Sequence, residues 1–513
     1  MIRRLTHALT ENAIGVILAL VVLILHFVTN LLGGYGYFRD EFYYIACTDH
    51  LAWGYVDHPP LSIFLLWLNR MIVGDSVFAV RILPALADAT LVYLTGLIVR
   101  QLDGGKSAQF ISCVAVIIAP VYLAVDSFYS MNAFEPLFWM STACVLIYIF
   151  NTGNQRLWLL FGLLAGLGLQ NKHSMLFFGF AMVIGLVLTA ERKQLASRWF
   201  WIGGMIAAII FLPNLLWQLT NDWPTLAFMR NAQQWKNAPL SPFEFISAQV
   251  LFQHPLVFPL WIIGVIAFFF HHDLKKYQFF GWAFMALLLL FILQRGKPYY
   301  LSPVFPLVIS AGAVASEQFF RRNKLKWLLR FYAAALILGG LTTLPLWLPV
   351  LPVDMYVRYA GALGLQPPKM EQHGDTALPQ VFADRFGWQE MVAEVARVYD
   401  SLTPEEKAVT AIYTQNYGEA GAIDFLGEQH HLPKAICGHN SYWHWGVHGY
   451  SGEVLIIVGG RAEDHSKTYE SVQQVATHIN ENAMPYETNL PIFLCRKPKV
   501  ALADVWQNTK HYI

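Results

Sequence analysis

Charge is scarce in this chain. Asp, Glu, Lys and Arg make up only 13% of its 513 residues, and the two signs nearly cancel, leaving a formal net charge of +1. That balance excludes bulk electrostatic attraction to nucleic acid. Cysteine is scarce too: the five residues form no metal-spaced pair and no dense disulfide pattern. There is no GxGxxG and no P-loop. Val458-Gly459-Gly460-Arg461 follows a strand-like run, but without those spacings it does not make a nucleotide site. No HExxH-type spacing, internal repeat or low-complexity tract is present.

What the chain has in quantity is apolar sequence, at 56% of residues. Runs near the spanning length of ~20 residues fall at about 13–32, 79–99, 107–125, 134–150, 157–171, 173–190, 199–217, 255–270, 277–294, 303–319 and 327–348. The expected fold is an α-helical polytopic membrane protein with about eleven transmembrane helices. The basic stretch before residue 13 leads into the first run with no clear cleavage site, and reads as the flank of an uncleaved first span. Phe and Trp are abundant, which suits lipid-facing and interfacial positions; Trp53, Trp223 and Trp235 read as belt residues first and sugar platforms second.

Basic residues set the orientation. Arg3 and Arg4, Arg100 and Lys106, Arg156, Arg192-Lys193 with Arg198, Lys275-Lys276, and Arg321-Arg322 with Lys324 and Lys326 all fall on one side of these spans. The positive-inside rule puts that side, and the N-terminus, in the cytoplasm. An odd span count then sends the C-terminal part outside. This parity depends on the two short runs around Lys172.

The opposite side receives the loop Gly33–Pro60 (GGYGYFRDEFYYIACTDHLAWGYVDHPP), the Asp126–Asn132 turn, the Asn171-Lys172-His173 turn, the Asn221–His254 loop and Arg295–Tyr300. Nearly all the unusual polar residues collect there, and polar groups at such depth are costly and usually functional. The first loop holds adjacent carboxylates, Asp40 and Glu41, and closes on Asp57-His58-Pro59-Pro60.

From about Val353 the composition turns polar. Val409–Thr414, Val454–Val458 and Pro491–Cys495 read as strands. Helical patterns lie near Trp388–Ser401, Gly418–Gln429 and Ser466–Asn480. Strands alternating with helices predict a soluble C-terminal α/β domain over 351–513, after a transmembrane catalytic domain over 1–350. Cys437 and Cys495 could pair there in an oxidising compartment.

Four stretches carry a resemblance: FRDEFYY (Phe38–Tyr44), GYVDHPPL (Gly54–Leu61), GLGLQNKHSM (Gly166–Met175) and RGKPYYLSPVFP (Arg295–Pro306). In order and spacing they resemble the GT-C glycosyltransferases, and most closely the bacterial glycosyltransferase family 39, relatives of protein O-mannosyltransferases and of the transferases that add aminoarabinose to lipid A. The tail stretches TQNYGEAGAIDFL and GHNSYWHWG also look like C-terminal domains of bacterial members. The resemblance implies an active site facing away from the cytoplasm, a lipid-phosphate-linked sugar as donor and inversion at the anomeric centre. It places Asp40 at the family's catalytic acidic position, with Glu41 beside it, and Glu135 near a second acidic position. Where the lipid A transferases read Glu-Lys-Pro-Pro, this chain reads Asp57-His58-Pro59-Pro60, with histidine replacing a phosphate-holding lysine.

The chemistry asks for these residue types. A phosphate-linked sugar already has a good leaving group, so the enzyme must activate an acceptor hydroxyl and neutralise the departing phosphate. Asp40 is the expected general base. Lys172, Arg295 and Lys297 are the expected phosphate cations, with Tyr299 and Tyr300 bonding the phosphate or packing on the lipid. Asp57 and His58 are expected to bind substrate. A divalent metal is left open as a cofactor; Asp57, His58 and a distant histidine such as His254 would supply its ligands. The expected partners are a polyprenyl-phosphate-linked sugar, a lipid, glycan or protein acceptor and the bilayer of a bacterial inner membrane. Two alternatives remain: a transporter or flippase of lipid-linked sugars, for which the sequence lacks the usual paired halves, and a non-catalytic assembly factor.

Overall fold

The computed structural model describes residues 12–237, 240–365 and 376–513. Arg3 and Arg4, on which the N-terminal orientation leans, lie outside the described residues. The chain forms two compact units that interleave in sequence. The first takes residues 12–33, 78–217 and 240–352; the second takes 34–77, 218–237 and the described part of 353–513. The 34–77 loop and the polar C-terminal sequence, far apart in the chain, therefore fold as one body.

The first unit is a helical bundle. Among the described residues, seven helices are long and apolar enough to cross a bilayer alone: Ala13–Leu32, Val77–Gln101, Met131–Thr152, Arg198–Thr220, Lys275–Leu293, Pro298–Arg322 and Lys326–Leu346. Two bent pairs, Met175–Val187 with Ala190–Ala196 and Pro242–Phe252 with Pro255–Phe270, raise the number to nine if each is one span. Each of the eleven expected runs is helical, but not all make independent spans. The 107–125 run breaks between Lys106–Ile117 and Pro120–Val125, because proline at the start of the second piece has no N–H to continue the first. The helix at 157–171 is Trp158–Asn171, 14 residues and below spanning length.

Small residues let these helices meet backbone to backbone. A Cβ on Gly264 would stand 1.9 Å from the Val308 carbonyl oxygen, and one on Gly312 1.9 Å from that of Leu260. Such approach is the usual basis of helix association in lipid, where no hydrophobic force favours protein over acyl chains.

The second unit is built on a five-stranded sheet: β1 (Thr410–Thr414), β2 (Ala435–Cys437), β3 (Val454–Val458), β4 (Tyr469–His478) and β5 (Leu490–Pro498), in the order β2-β1-β3-β5-β4. β2, β1 and β3 are parallel; β5 and β4 run antiparallel as a hairpin edge. β3, sequence VLIIV, is buried along its whole length, as a central strand should be. The predicted helices at 388–401 and 418–429 form as Trp388–Asp400 and Tyr417–Leu426.

The structure corrects the sequence reading at two points. Ser466–Asn480 is not a helix; most of it is strand β4, paired along its length with β5. Its Gln- and Glu-containing pattern suits a helix, but as an edge strand with half of its side chains exposed it takes its conformation from β5. Cys437 and Cys495 are both free and buried. They lie on β2 and β5, which have β1 and β3 between them. Three inter-strand steps separate them by about 14 Å, about twice the ~7 Å reach of a disulfide.

The sequence reading also passed over Leu61–Val73, a 13-residue apolar helix of the second unit. It is too short to span. Phe64, Leu68, Met71 and Ile72 are exposed on it, while Ser62 and Asn69 are buried.

Candidate active site

In the second unit, the site begins with the helix Arg39–Asp49. Asp40 and Glu41 both occupy its first turn, where carboxylates complement the exposed N–H groups and the helix dipole. Their fates differ. Glu41 is fully buried, and its Oε2 accepts the Phe38 N–H at 2.8 Å, so it caps the helix. The Asp40 side chain keeps 29% of its surface exposed. Its Oδ1 accepts the Tyr417 O–H at 2.9 Å and lies 3.5 Å from Arg39 Nε.

Arg39 is itself held. Its Nη1 donates to Tyr486 Oη at 2.8 Å and lies 3.8 Å from Asp384 Oδ2, and its guanidinium sits over the rings of Tyr417 and Tyr486. Asp384, Tyr417, Tyr486 and Asp40 together hold it protonated, against the burial that opposes its charge.

Asp57 and His58 belong to the same unit but do different work. Asp57 Oδ1 accepts the Tyr43 O–H at 2.8 Å; Tyr43 Oη also lies 2.8 Å from Ser441 Oγ. His58 is fully buried, stacked on Tyr44 at 4.7 Å and packed against Tyr55 at 4.9 Å, with Nδ1 3.1 Å from its neighbour's carbonyl, Pro59 O. It is a core residue of this loop, with no exposed nitrogen to offer a phosphate. Among the described residues no group of three or more His, Cys, Asp and Glu is arranged to hold a metal ion.

Behind Tyr417 lies a buried carboxyl pair. Asn416 Nδ2 donates to Glu419 Oε1 and to Glu487 Oε1, both at 3.0 Å. Burial pushes Glu419 up to about 7, opposed by backbone N–H groups of Gln415 and Asn416. Burial also raises Glu487 strongly, and the Glu419 charge adds to it. Because the folded value of Glu419 lies above its ordinary 4.5, its contribution to stability is complete below about 4.5 and is lost as pH rises through about 7. Thermal melting between pH 5 and 8 should show wild type losing stability relative to Glu419→Gln across that window. Parallel curves would refute the assignment.

The first unit holds a separate cluster. The helix Met131–Thr152, capped by Ser130, presents Asn132 and Glu135; the turn after Trp158–Asn171 presents Lys172. Lys172 Nζ lies 2.5 Å from Glu135 Oε2 and 2.8 Å from Asn132 Oδ1. Ser174 Oγ donates to the other Glu135 oxygen. The Lys172 ammonium faces the rings of Tyr300 at 5.0 Å and Tyr299 at 5.5 Å. The segment bearing these tyrosines is tied in by Gln249 Nε2 donating to Pro298 O and by Tyr122 O–H donating to Ser302 O. Arg295 is exposed, with a left-handed backbone at φ 50°, and Lys297 is half-buried.

The fold thus joins Lys172, Glu135, Tyr299 and Tyr300 in one cluster, and Asp40, Asp57 and His58 in one body. Sequence reasoning missed Arg39, Tyr43, Tyr417, Asn416 and Ser441 as parts of the Asp40 surroundings. TQNYGEAG and GHNSYWHWG, two stretches already conspicuous in the tail, contain three of them. It also missed a buried pair in the first unit, His26 Nε2 and Asp88 Oδ2 at 2.9 Å.

Known proteins resemble this chain in sequence and in fold. A family model described as dolichyl-phosphate-mannose-protein mannosyltransferase matches residues 57–217. The lipid A galacturonosyltransferase RgtD of Rhizobium johnstonii is 25% identical over 270 residues, 50% of this chain and 55% of that protein. The undecaprenyl phosphate-alpha-4-amino-4-deoxy-L-arabinose arabinosyl transferase of Pseudomonas paraeruginosa is 26% identical over 331 residues, 58% of this chain and 57% of that protein. The matches therefore span little more than half the length of these curated relatives. Crystal structures of ArnT from Cupriavidus metallidurans, in the apo state and bound to undecaprenyl phosphate, match 93% of this chain and 97% of theirs, with TM-scores of 0.62 and 0.59 at 14% identity. The chain thus shares the fold of ArnT and is similar in sequence to the two named transferases. The family-matched segment contains Asp57, His58, Glu135 and Lys172; Asp40 and Arg295–Tyr300 fall outside it. Both curated relatives are named as transferases.

Proposed function

We propose that this chain is an integral-membrane, inverting glycosyltransferase. It moves a sugar from a polyprenyl-phosphate donor to a hydroxyl or phosphate of an acceptor on the periplasmic face of a bacterial inner membrane. The observation that carries this reading is Asp40. Of the two adjacent carboxylates, it is the partly exposed one, held by Tyr417 and Arg39, while Glu41 is consumed as a cap.

Asp40 takes the proton of the acceptor hydroxyl as the acceptor oxygen bonds to the anomeric carbon. The bond from that carbon to the phosphate oxygen breaks, and the lipid phosphate leaves with the electron pair. Lys172 is the principal phosphate cation: two of its three N–H bonds go to Glu135 and Asn132, and one remains for a phosphate oxygen. Glu135, bonded by Lys172 and Ser174, holds that ammonium in place. Arg295 and Lys297 supply further charge, and Tyr299 and Tyr300 flank Lys172. Asp57 and His58 shape the Asp40 loop through Tyr43 and Tyr44. Residues 351–513 form the periplasmic part.

The test is transfer of radiolabel from undecaprenyl-phosphate-linked 4-amino-4-deoxy-L-arabinose, galacturonic acid and mannose to endogenous lipid, glycan and protein in membranes containing the chain. Label moving to an acceptor only when the chain is present supports the reading. Donor crossing the bilayer without transfer would move the chain to the flippases. For orientation, a reporter fused after Lys276 should read cytoplasmic and one after Val353 external. Opposite readings would put Asp40 on the wrong face for a periplasmic acceptor.

A further inference from the structure

We propose that Tyr417, carried by the C-terminal α/β sequence, is a positioning residue for the Asp40 carboxylate. The tail then completes the catalytic loop instead of merely covering it. This rests on the reading of Asp40 as the base that activates the acceptor.

Three observations carry it. The first is the contact: the Tyr417 O–H donates to Asp40 Oδ1 at 2.9 Å, and among the described residues both partners of Asp40, Tyr417 and Arg39, sit on Oδ1. Anchoring one oxygen leaves Oδ2 as the one to meet an incoming hydroxyl. The second is the rigidity of the donor. The buried Tyr417 ring is stacked on Tyr43 at 4.6 Å, with His439 also at 4.6 Å and the Arg39 guanidinium 5.6 Å away. Its helix is capped by Asn416 Oδ1, which accepts the N–H of Gly418 at 2.8 Å and of Glu419 at 3.1 Å. The third is how the two helices meet. A Cβ on Gly418 would stand 2.3 Å from Arg39 Cγ, and one on Gly421 2.8 Å from the backbone of Phe42. The i, i+3 glycines of NYGEAG let the tail helix approach the Arg39–Asp49 helix closely enough for a tyrosine to reach Asp40.

The ionisable groups around this contact are Arg39 and Tyr417 on Asp40 itself, then Asp384 and Tyr486 on Arg39, His439 on the Tyr417 ring, and Glu419 with Glu487 around Asn416. An O–H donated to a carboxylate favours its charged form. Losing that bond frees Oδ1 and with it the orientation of the Asp40 carboxylate.

The experiment compares wild type, Asp40→Asn and Tyr417→Phe, which keeps the stacked ring. Transfer is followed with the undecaprenyl-phosphate sugar that the wild type uses. Tyr417→Phe should lower kcat about 10-fold with the donor KM within about twofold, because misplaced groups lose rate more than binding. Infrared spectroscopy of the purified protein gives a reading that needs no turnover: the carboxylate stretching band missing in Asp40→Asn should shift in Tyr417→Phe, which lacks the donated hydrogen bond. Unchanged kcat and an unchanged carboxylate band in Tyr417→Phe, with Asp40→Asn inactive, overturn the positioning role and leave the base standing. Wild-type turnover in Asp40→Asn overturns the base reading itself.

Discussion

Replacing Asp40 by asparagine should lower transfer by roughly 10²- to 10⁴-fold, the range that general-base catalysis contributes. The substitution keeps shape and removes basicity. Because the side chain is partly exposed, it leaves no fully buried group stranded. The Tyr417 O–H can still donate to an asparagine oxygen, so melting temperature and donor binding should stay close to wild type. The companion is Glu41→Gln. Glu41 is fully buried and accepts the Phe38 N–H, and glutamine retains an acceptor for that bond. It should cost a little stability and little turnover. If Glu41→Gln abolished transfer while Asp40→Asn did not, the assignment of the two carboxylates would be reversed.

Lys172→Met should destabilise the chain by ~3–5 kcal/mol, because it strands the buried Glu135 carboxylate without its cation. Both side chains are largely enclosed, at 11% and 3% exposure, and they meet at 2.5 Å. Methionine matches the lysine stem in volume, so the loss is electrostatic and not a cavity. The double variant Lys172→Met with Glu135→Gln removes both charges. It should recover most of that stability, while transfer stays down by at least ~10²-fold for want of the cation on the leaving phosphate. Full recovery of transfer in the double variant would show that Lys172 serves only to neutralise Glu135. A single variant as stable as wild type would show that Glu135 is not buried as a charge.

Much of this architecture was legible in the chain. The apolar runs, the polarity change near Val353 and the strands read at 409–414, 454–458 and 491–495, observed at 410–414, 454–458 and 490–498, follow from composition and period. Lys172, Glu135 and Tyr299–Tyr300 were legible as candidates because charge and paired tyrosines stand out among apolar residues. Other features could not be read from local pattern. Tyr469–His478 is a strand because β5 lies beside it. His58 is a core residue because Tyr44 and Tyr55 enclose it. Asp40 and Glu41 are neighbours of equal chemistry, and only the cap on Phe38 separates their roles.

The sequence by itself determined that the chain crosses a membrane many times, which residues carry charge at its margins, and that a polar α/β segment follows. These depend on the free energy of placing side chains in lipid or water, which is summed along the chain. Tertiary structure decided which charges pair and which of two adjacent carboxylates caps its helix. Tyr417 reaches Asp40 across 377 positions of sequence, and Lys172 reaches Glu135 across 37. Such contacts form where packing brings distant backbone together, and no local period encodes them.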